Sequence, residues 1–579
     1  MATASAFPAL LEPYATGAGG GAASAKAGRL LQRYEALLQQ RQLHDYVWQD
    51  MVELMLPGAA DITRYRTPGT TRTDHLFDAT AIVASQTLAA SLMGAVTNQA
   101  LQWFRLQFRN ALLKDNQEVA TWLNACDEIM LRAYNASNFY QAAHTYYLNL
   151  AIFGTAAMYV KATERLQRGG TQEVSLRFHT LSTGHYCIAE NADGKVDTLF
   201  RCFELTPRQA VQQFGEVAIS RPLRALVRDP MQMDKRKRFL HCVSPRDTDG
   251  KGRLGNKNMP YAEVYLEVDT QHICWESGYE EFPFLVSRWE TVGAGPYGFG
   301  PGHMALADVR TINTLRELML LQLQLWVQPP LTALEEAVIG SISLESLAVN
   351  VITREDALKP LDLTGRPDLV KIEEQELKKS IRELFFADAL TGLPPVDATT
   401  MTAYEVAQRI EHMQRLMGPA FSRLLSEMLD PLADRVFGLL WRAGVLPPVP
   451  RDVVIAAQRN QGQLDVEYEG PLARAQRGVE VRAIGESLAV AEQIVRLTQK
   501  LDILDNIDLD LAWREVAEAN GTPRHLIRDS TQIAQGRSVR EQQQQAMQDA
   551  AVQARQAESL GKAAPLVKAF AGNGVGAVA

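Results

Sequence analysis

Three glycines, Gly293, Gly295 and Gly298, have the G-x-G-x-x-G spacing that cradles the pyrophosphate of a dinucleotide. They follow a strand-like run and precede a helical pattern, and Glu317 lies about twenty residues beyond, where this motif places its ribose ligand. However, Pro296 removes one backbone N–H from the loop, and the helix begins several residues after the last glycine. We prefer to interpret this loop as a structural hinge that leads into the helix, and the alternative is a nucleotide-binding site of an enzyme.

A second candidate is the run Lys235-Arg236-Lys237-Arg238, because clustered cations can contact phosphates. Charges in front of a strand are more often a solvated edge that discourages strand pairing, and we prefer that interpretation. The sequence contains no G-x-x-x-x-G-K-[ST] loop, no H-E-x-x-H pair and no G-x-S-x-G elbow. We therefore expect a chain that is not an enzyme and has no cofactor and no metal.

Composition narrows the class of protein further. The net charge of −8 argues against a dedicated nucleic-acid clamp, which needs a concentrated basic surface. The most apolar run, Leu318–Val327, is about half of the ~20 residues that a bilayer requires, so no membrane insertion is expected. The cysteines are scattered and form no C-x-x-C pair: Cys126, Cys187, Cys202, Cys242 and Cys274. They support neither a disulfide framework nor a zinc ribbon, which fits assembly in a reducing cytoplasm.

Hydrophobic periodicity predicts a mainly helical α+β chain. Early helices are expected over Leu30–Leu56, Ala79–Gln99, Asn116–Ala136 and Phe139–Phe153. From Ala156 the pattern alternates, with a hairpin turn at Asp193-Gly194, which predicts an α/β body. After Pro330 come short β-like pieces, then helices over Lys371–Leu390 and Met401–Gly444.

One predicted helix is too long and too apolar for a single chain to bury. The segment His303–Gln328 would be about 40 Å long at ~1.5 Å per residue. Its first half is polar on one side, its second half is apolar almost all round, and Pro329-Pro330 ends it. We therefore expect other copies of the chain to cover the second half.

Four collinear blocks of this sequence resemble the podovirus portal family, the head-to-tail connecting proteins of short-tailed, T7-like phages. The blocks are Phe77–Phe108, Phe282–Leu315 with its GAGPYGFGPG loop, Met401–Pro447 and VEYEGPLARAQR at Val466–Arg477. The resemblance implies a portal fold of wing, stem, clip, crown and barrel, assembled as a dodecameric ring at one capsid vertex. DNA would be packaged and ejected through the ring's central channel.

The resemblance also implies which segments form each part of that ring. Residues 1–28, rich in glycine and alanine, are expected to be a flexible tail. The expected parts are the wing at 29–300, the first stem helix at 301–329, the clip at 330–370, the second stem helix at 371–390, the tunnel loop at 391–400, a long kinked wing helix and connection at 401–465, the wing return and crown at 466–535, and the C-terminal barrel helix with a frayed tail at 536–579.

Particular residues receive expected roles from this assignment. The tunnel loop that faces DNA would comprise Thr391, Gly392, Leu393, Pro394, Pro395 and Asp397. An ordinary helix connector would have a similar sequence. Lys378 and Lys379 are candidates for weak DNA contact on the second stem helix, with a solvated helix face as the alternative. The stem hinge would comprise Gly298, Gly300, Pro301 and Gly302, and intersubunit packing would use Leu318, Leu320, Leu321, Leu325 and Trp326.

The partners implied by the resemblance are double-stranded DNA, the terminase large subunit, a tail adaptor, and the major capsid and scaffolding proteins. The chain would reside in the virion at the portal vertex after assembly in the host cytoplasm. Besides the nucleotide-binding enzyme, a generic helical virion scaffold or adaptor remains an alternative.

Overall fold

The computed structural model describes residues 21–59, 61–64, 73–100, 102–108, 116–166, 172–246, 259–293, 295–333, 338–339, 342–343, 351–354, 358–361, 367–388, 418–458, 464–468, 471–498, 508–519, 533, 536–548 and 550. The chain divides into two compact units, one of residues 1–111 with 122–475 and one of 112–121 with 476–579. Helices and antiparallel sheets are both present, in agreement with the expected α+β class.

Four helices lie in the first part of the chain: α1 (Gly21–Met55), α2 (Thr80–Val96), α3 (Gln117–Ala136) and α4 (Phe139–Phe153). The prediction of a flexible tail is wrong for residues 21–28, which form the first turns of α1. Alanine has the highest helix propensity, and this stretch is rich in it. Ala27 is fully buried, and Lys26 forms an ion pair with Glu276 at 2.6 Å, so tertiary contacts hold the extension in place.

Eight strands build two antiparallel sheets: β2 (Thr155–Leu166), β3 (Gln172–Leu181), β4 (Tyr186–Glu190), β5 (Val196–Leu205), β6 (Lys237–Pro245), β7 (Tyr261–Glu267), β8 (His272–Tyr279) and β9 (Phe284–Arg288). The strand orders are β3-β2-β9 and β4-β5-β6-β7-β8. The predicted hairpin turn is confirmed, because Gly194 adopts a φ of +74° between β4 and β5.

The five-stranded sheet is covered by helices on both faces. Tyr34, Leu37 and Leu38 of α1 pack against one face, where the side chains of Cys187, Phe200, Cys202, Leu240, Cys242, Val264 and Leu266 meet. Two short helices, α5 (Pro207–Phe214) and α6 (Arg221–Val227), pack against the other face around Phe239 and Tyr265. All five cysteines are free and buried, so they contribute apolar volume to the core.

The basic run at 235–238 does not protect a sheet edge, so that prediction is wrong. Strand β6 is the central strand of its sheet and is hydrogen-bonded to both β5 and β7. The charges lie where the strand begins, and acids on neighbouring segments compensate them. Arg236 pairs with Glu204 at 3.5 Å, and Lys237 and Arg238 pair with Asp269 at 3.7 and 3.4 Å.

The long helix is confirmed as α7 (Pro301–Val327). Short strands follow: β10 (Leu331–Ala333), β11 (Val338–Ile339), β12 (Val351–Ile352) and β13 (Leu358–Pro360). Because β10 pairs with β13 and β11 with β12, both antiparallel, the segment forms a narrow ribbon that returns to α8 (Pro367–Leu384). Helix α8 starts and ends earlier than the predicted range Lys371–Leu390. It ends earlier because Phe386, two residues beyond Leu384, adopts a φ of +56°, which a right-handed helix does not allow.

From residue 418, where the described residues resume, the chain is helical and passes through a π-helical turn, Leu425–Leu429, into α9 (Asp430–Arg442). The predicted break at Pro431 coincides with this turn. Proline has no N–H to donate, and the N–H of Asp430 bonds to Leu425 instead of the usual residue four positions back. Residues 401–417 of the predicted helix lie outside the described residues.

Next come α10 (Arg451–Gln458) and β14 (Leu464–Tyr468), which pairs with β1 (Phe104–Phe108). Then follow α11 (Pro471–Thr498), which continues into the second unit, and α12 (Leu509–Ala519). In the second unit Arg537 forms an ion pair with Asp510 at 2.6 Å. In the described part of the chain, every helix is too short or too polar to cross a bilayer.

Candidate functional site

The loop before α7 is pressed against the C-terminal end of α4. Gly154 ends α4 with a φ of +65°, and its carbonyl oxygen accepts from Trp289 N–H at 2.8 Å. A Cβ added at Gly298 would overlap that same carbonyl oxygen, and one at Gly302 would overlap the carbonyl oxygen of Ile152. Because backbone lies directly on backbone here, these positions accept only glycine.

Hydrogen bonds complete this anchor of the long helix. The N–H of Gly298 donates to Thr155 Oγ1 at 2.7 Å, and that of Phe299 donates to the Glu290 carbonyl at 2.7 Å. The N–H of Gly300 donates to Nδ1 of His303 at 3.2 Å. Burial, and then the neighbouring His44, lower the pKa of His303 to about 4. The imidazole is therefore neutral at pH 7 and can accept this hydrogen bond.

The polar side chains of the first half of α7 have partners within the chain. Asn313 accepts from Phe77 N–H at 2.8 Å and donates to the His75 carbonyl at 2.8 Å. Arg310 pairs with Asp50 of α1. The α7 residues buried in this half are Pro301, Gly302, Ala305, Leu306, Val309 and Ile312. This half is thus fixed to the N-terminal part of the chain.

The second half of α7 is apolar and exposed. The predicted packing residues have these exposed fractions: Leu318 58%, Leu320 50%, Leu321 50%, Leu325 41% and Trp326 38%. Leu323 and Val327 are also exposed, at 46% and 80%. A contiguous exposed apolar surface of this kind on a soluble protein marks an interaction surface. We call this set, Leu318 to Val327, the apolar stem surface.

Helix α8 lies beside α7 and carries the two predicted DNA-facing lysines. Arg316 of α7 pairs with Glu374 of α8 at 2.8 Å. Lys378 also pairs with Glu374, at 2.6 Å, and with Asp78 at 3.5 Å, so its ammonium is held inside the chain. Lys379 is exposed and pairs with Glu383 at 3.6 Å on the same helix. A DNA contact remains a prediction for both lysines.

The end of α8 is fixed by aromatic side chains just before the predicted tunnel loop. Phe385 is fully buried, and Phe386 stacks on Trp289 with ring centroids 6.3 Å apart. The predicted loop residues Thr391, Gly392, Leu393, Pro394, Pro395 and Asp397 lie outside the described residues. Their role at the channel remains a prediction.

Sequence reasoning missed the ion network that supports this region. The Arg288 side chain is 5% exposed and contacts Glu427 at 2.7 Å and Glu190 at 2.7 Å. It also donates to the Gly194 carbonyl at 2.7 Å, and its backbone N–H donates to Glu427 at 2.7 Å. Glu427 lies in the π-helical turn, so the turn places this carboxylate on Arg288. No local pattern around Arg288 signals partners so distant in sequence.

The geometry does not support the nucleotide-binding alternative. Pyrophosphate motifs need a glycine loop between a parallel strand and the first turn of its helix. The strand that precedes this loop, β9, pairs antiparallel with β2, and Gly298 is occupied by contact with Gly154. Among the described residues, no group of histidine, cysteine or acidic side chains could hold a metal ion.

Comparisons with known proteins agree with the predicted family. The family model described as "Bacteriophage head to tail connecting protein" matches residues 27–527. The portal protein of Salmonella phage epsilon15 is 28% identical over 533 residues, which cover 90% of this chain and 92% of that protein. The probable portal protein of Bordetella phage BPP-1 is 30% identical over 548 residues, which cover 92% and 94%.

Among solved structures, a chain from the virion of a native gene transfer agent particle aligns with 76% of this chain and 94% of that one, at a TM-score of 0.33 and 12% identity. The family model spans most of the sequence, and both phage relatives align over nearly their full lengths. The chain therefore belongs to the family of bacteriophage head-to-tail connecting proteins, the portal proteins of phage virions.

Proposed function

We propose that this head-to-tail connector works as a closed ring, dodecameric as its family resemblance implies, around a channel through which DNA enters and leaves the capsid. The apolar stem surface is the observation that carries the proposal. In one chain it remains in water, while the other half of the same helix is buried and hydrogen-bonded. A neighbouring copy can cover it, and cyclic symmetry ends the assembly without leaving a free surface.

The charges of the stem suit a channel that lets DNA slide. Among residues 370–384 of α8, whose exposure the structure describes, the exposed charged residues are three cations and three acids: Lys371, Glu373, Glu376, Lys379, Arg382 and Glu383. A strongly basic wall would hold DNA by releasing counterions at many phosphates. A balanced wall avoids this, with Lys379 as the weak contact and the 391–400 loop as the constriction.

The remaining parts follow the same assignment. The ribbon of β10 to β13 is the clip that meets the terminase large subunit during packaging and the tail adaptor afterwards. The sheets and the N-terminal helices form the wing beside the major capsid and scaffolding proteins, and the C-terminal helices form the crown and barrel. The chain itself performs no chemistry in this scheme, so the energy for packaging comes from the motor.

The Leu320→Asp variant tests the ring. A carboxylate on the apolar stem surface would be buried without a partner in every interface, which costs several kcal/mol for each copy. Negative-stain images and native mass spectrometry should show rings for the wild type and monomers for the variant. Val217→Asp is the matched control, since Val217 is 90% exposed in a loop, and it should form rings.

Two results would contradict the proposal. Normal rings from the Leu320→Asp variant would show that this surface does not hold the subunits together. A wild-type chain that forms only solid or irregular particles would favour a generic scaffold or adaptor. Circular dichroism of both variants confirms that any loss of rings does not come from unfolding.

A further inference from the structure

Cationic side chains converge on one face of the three-stranded sheet. Lys161 of β2 and Arg177 of β3 are direct partners across the strand ladder, and Tyr159 and His179 are the next partners on the same face. Arg201 of β5 reaches over this face, with its guanidinium carbon 4.8 Å from the centre of the Tyr159 ring. We call Lys161, Arg177, His179 and Arg201 the cationic cleft.

Three of these side chains, Lys161, His179 and Arg201, border a concave space, and Arg177 lies beside it as the strand partner of Lys161. A cavity of about 400 Å³ is lined by Lys161, His179, Thr180, Ser182, His185 and Arg201, with Phe203 and Tyr265 as apolar walls. His179 and Ser182 are exposed, so the cavity is open to solvent. Its size fits a small molecule, not a folded partner or a DNA duplex.

The acids near the cleft are already engaged. Glu263 is 3.2 Å from Nε2 of His241 and accepts from the Tyr279 hydroxyl. His241 in turn accepts from Arg201 Nε at 3.0 Å, which leaves the terminal nitrogens of that guanidinium free to bind elsewhere. Within the described residues no carboxylate forms an ion pair with Lys161, Arg177 or Arg201.

The pKa values of Lys161 and His179 reflect this excess of positive charge. Burial, then Arg201 and Arg177, lower the pKa of Lys161, and the attraction of Glu263 has a smaller effect than either arginine. Burial, then Lys161, Arg201 and Arg177, lower the pKa of His179. Like charges held together in a partly buried place raise the free energy of the empty site, and an anion would lower it.

We propose that the cationic cleft binds a small oxyanion carrying a phosphate group. Lys161 and Arg201 contact its oxygens from inside the cavity, and Arg177 and His179 close the outer side. Planar guanidinium groups match the geometry of phosphate oxygens, and a lysine adds a point charge. The site lies in the wing sheets and is independent of the apolar stem surface.

Isothermal titration of the purified full-length chain with inorganic phosphate at low ionic strength tests the site. The variants are Lys161→Gln and Arg177→Gln, and Lys235→Gln is the control because Lys235 is exposed and outside the cleft. We expect both cleft variants to bind phosphate about tenfold more weakly or worse, since each removes a positive charge from the side of the bound anion. The control should bind as the wild type does.

Two further ligands distinguish the sources of the phosphate group. Adenosine monophosphate binding more tightly than inorganic phosphate would identify an organic phosphate ester that uses the Phe203 and Tyr265 walls. A short DNA duplex that binds in a Lys161-dependent way while inorganic phosphate does not would overturn the proposal. The proposal would also be overturned if the wild type and the three variants bound phosphate with equal affinity, or if the wild type did not bind phosphate at millimolar concentration.

One readout is specific to the cleft. Phosphate binding should raise the pKa of His179, measured from its imidazole resonances, because an adjacent anion favours the charged form. If the Lys161→Gln variant does not fold, the Arg177→Gln variant still allows phosphate binding to be compared with that of the wild type. An unchanged His179 titration at saturating phosphate would place the anion elsewhere and overturn the assignment.

Discussion

At the scale of single residues, Arg288 joins three segments that are distant in sequence. Its guanidinium is nearly inaccessible to water and contacts two carboxylates and one backbone carbonyl, so its charge is compensated and its donors are used. A buried pair of this kind adds little net stability over an apolar substitute, but losing Glu427, which contacts both the guanidinium and the backbone N–H, leaves the buried cation compensated by Glu190 and no longer by two carboxylates. Arg288 is therefore a residue at which single substitutions are costly.

The Glu427→Gln variant should reveal that cost. It keeps the shape of the side chain but removes the negative charge facing Arg288, and we expect the free energy of unfolding to fall by about 3 kcal/mol. Urea titration gives the value. Glu492→Gln, which affects an exposed pair with Arg496, is the control and should change stability by less than about 0.5 kcal/mol. Equal effects would show that the Arg288 network is not a stabilising centre.

His303 should make stability depend on pH. Its pKa is about 4 in the folded chain and 6.5 when unperturbed, so the unfolded chain takes up this proton first as the pH falls. Stability is therefore lost progressively between about pH 6.5 and pH 4, by about 3 kcal/mol at most. His303→Gln should lose less stability than the wild type over that window, as measured by urea unfolding at several pH values.

The exposed His272 provides the matched control for that measurement. Its replacement by glutamine should leave the pH dependence of the wild type unchanged. Wild-type and His303→Gln curves that run parallel from pH 7 to pH 4 would contradict the buried, neutral state of His303.

At the scale of elements, the long helix is anchored by its base and free at its far end. The glycines of the preceding loop let it start directly against α4, and Asn313 and Arg310 attach its polar side to the N-terminal helices. Beyond Ile312 none of its residues is buried. This contrast between a fixed base and an uncovered apolar end is what a subunit of a ring requires.

Substitutions of two glycines, Gly295 in that loop and Gly302 in the first turn of α7, separate close packing from simple flexibility. Gly302→Ala forces a methyl group into the Ile152 carbonyl, so we expect a loss of about 2–3 kcal/mol in the free energy of unfolding. Gly295→Ala meets open space and should change stability by less than about 0.5 kcal/mol. Chemical denaturation of both variants checks this. A tolerated Gly302→Ala would mean that the base of the helix is loose.

At the scale of the whole molecule, the net charge of −8 fits the proposed DNA channel. An acidic chain does not favour tight DNA binding, and the proposed assembly rests on apolar contact between copies. Both properties suit a connector that must let DNA pass in either direction and still hold together.

The ring should therefore resist salt. At 1 M NaCl the Debye length is about 3 Å, which weakens exposed ion pairs but not apolar burial. Sedimentation velocity at 0.1 M and 1 M NaCl should give the same ring species. A ring that dissociates into single chains at high salt would show that ion pairs between subunits, not the apolar stem surface, hold it together.

Local features could be predicted from sequence, because each depends on residues close together along the chain. The start of α7 within two residues of His303, its end before Pro329-Pro330, and the Asp193-Gly194 hairpin were all correct. The extension of α1 to residue 21 was missed because a Gly/Ala-rich stretch can form either a tail or a helix. Only its contacts with the sheet, such as Lys26 with Glu276, decide between the two.

The family was thus determined by sequence alone, through four collinear blocks, and one helix too apolar to bury itself predicts neighbouring copies. Only the tertiary structure decided that β1 pairs with β14, that β6 is central, and that Glu427 reaches Arg288 across 139 positions. Contacts between distant segments depend on how all the elements pack together. Periodicity along the chain predicts secondary structure but does not indicate which distant segments come into contact.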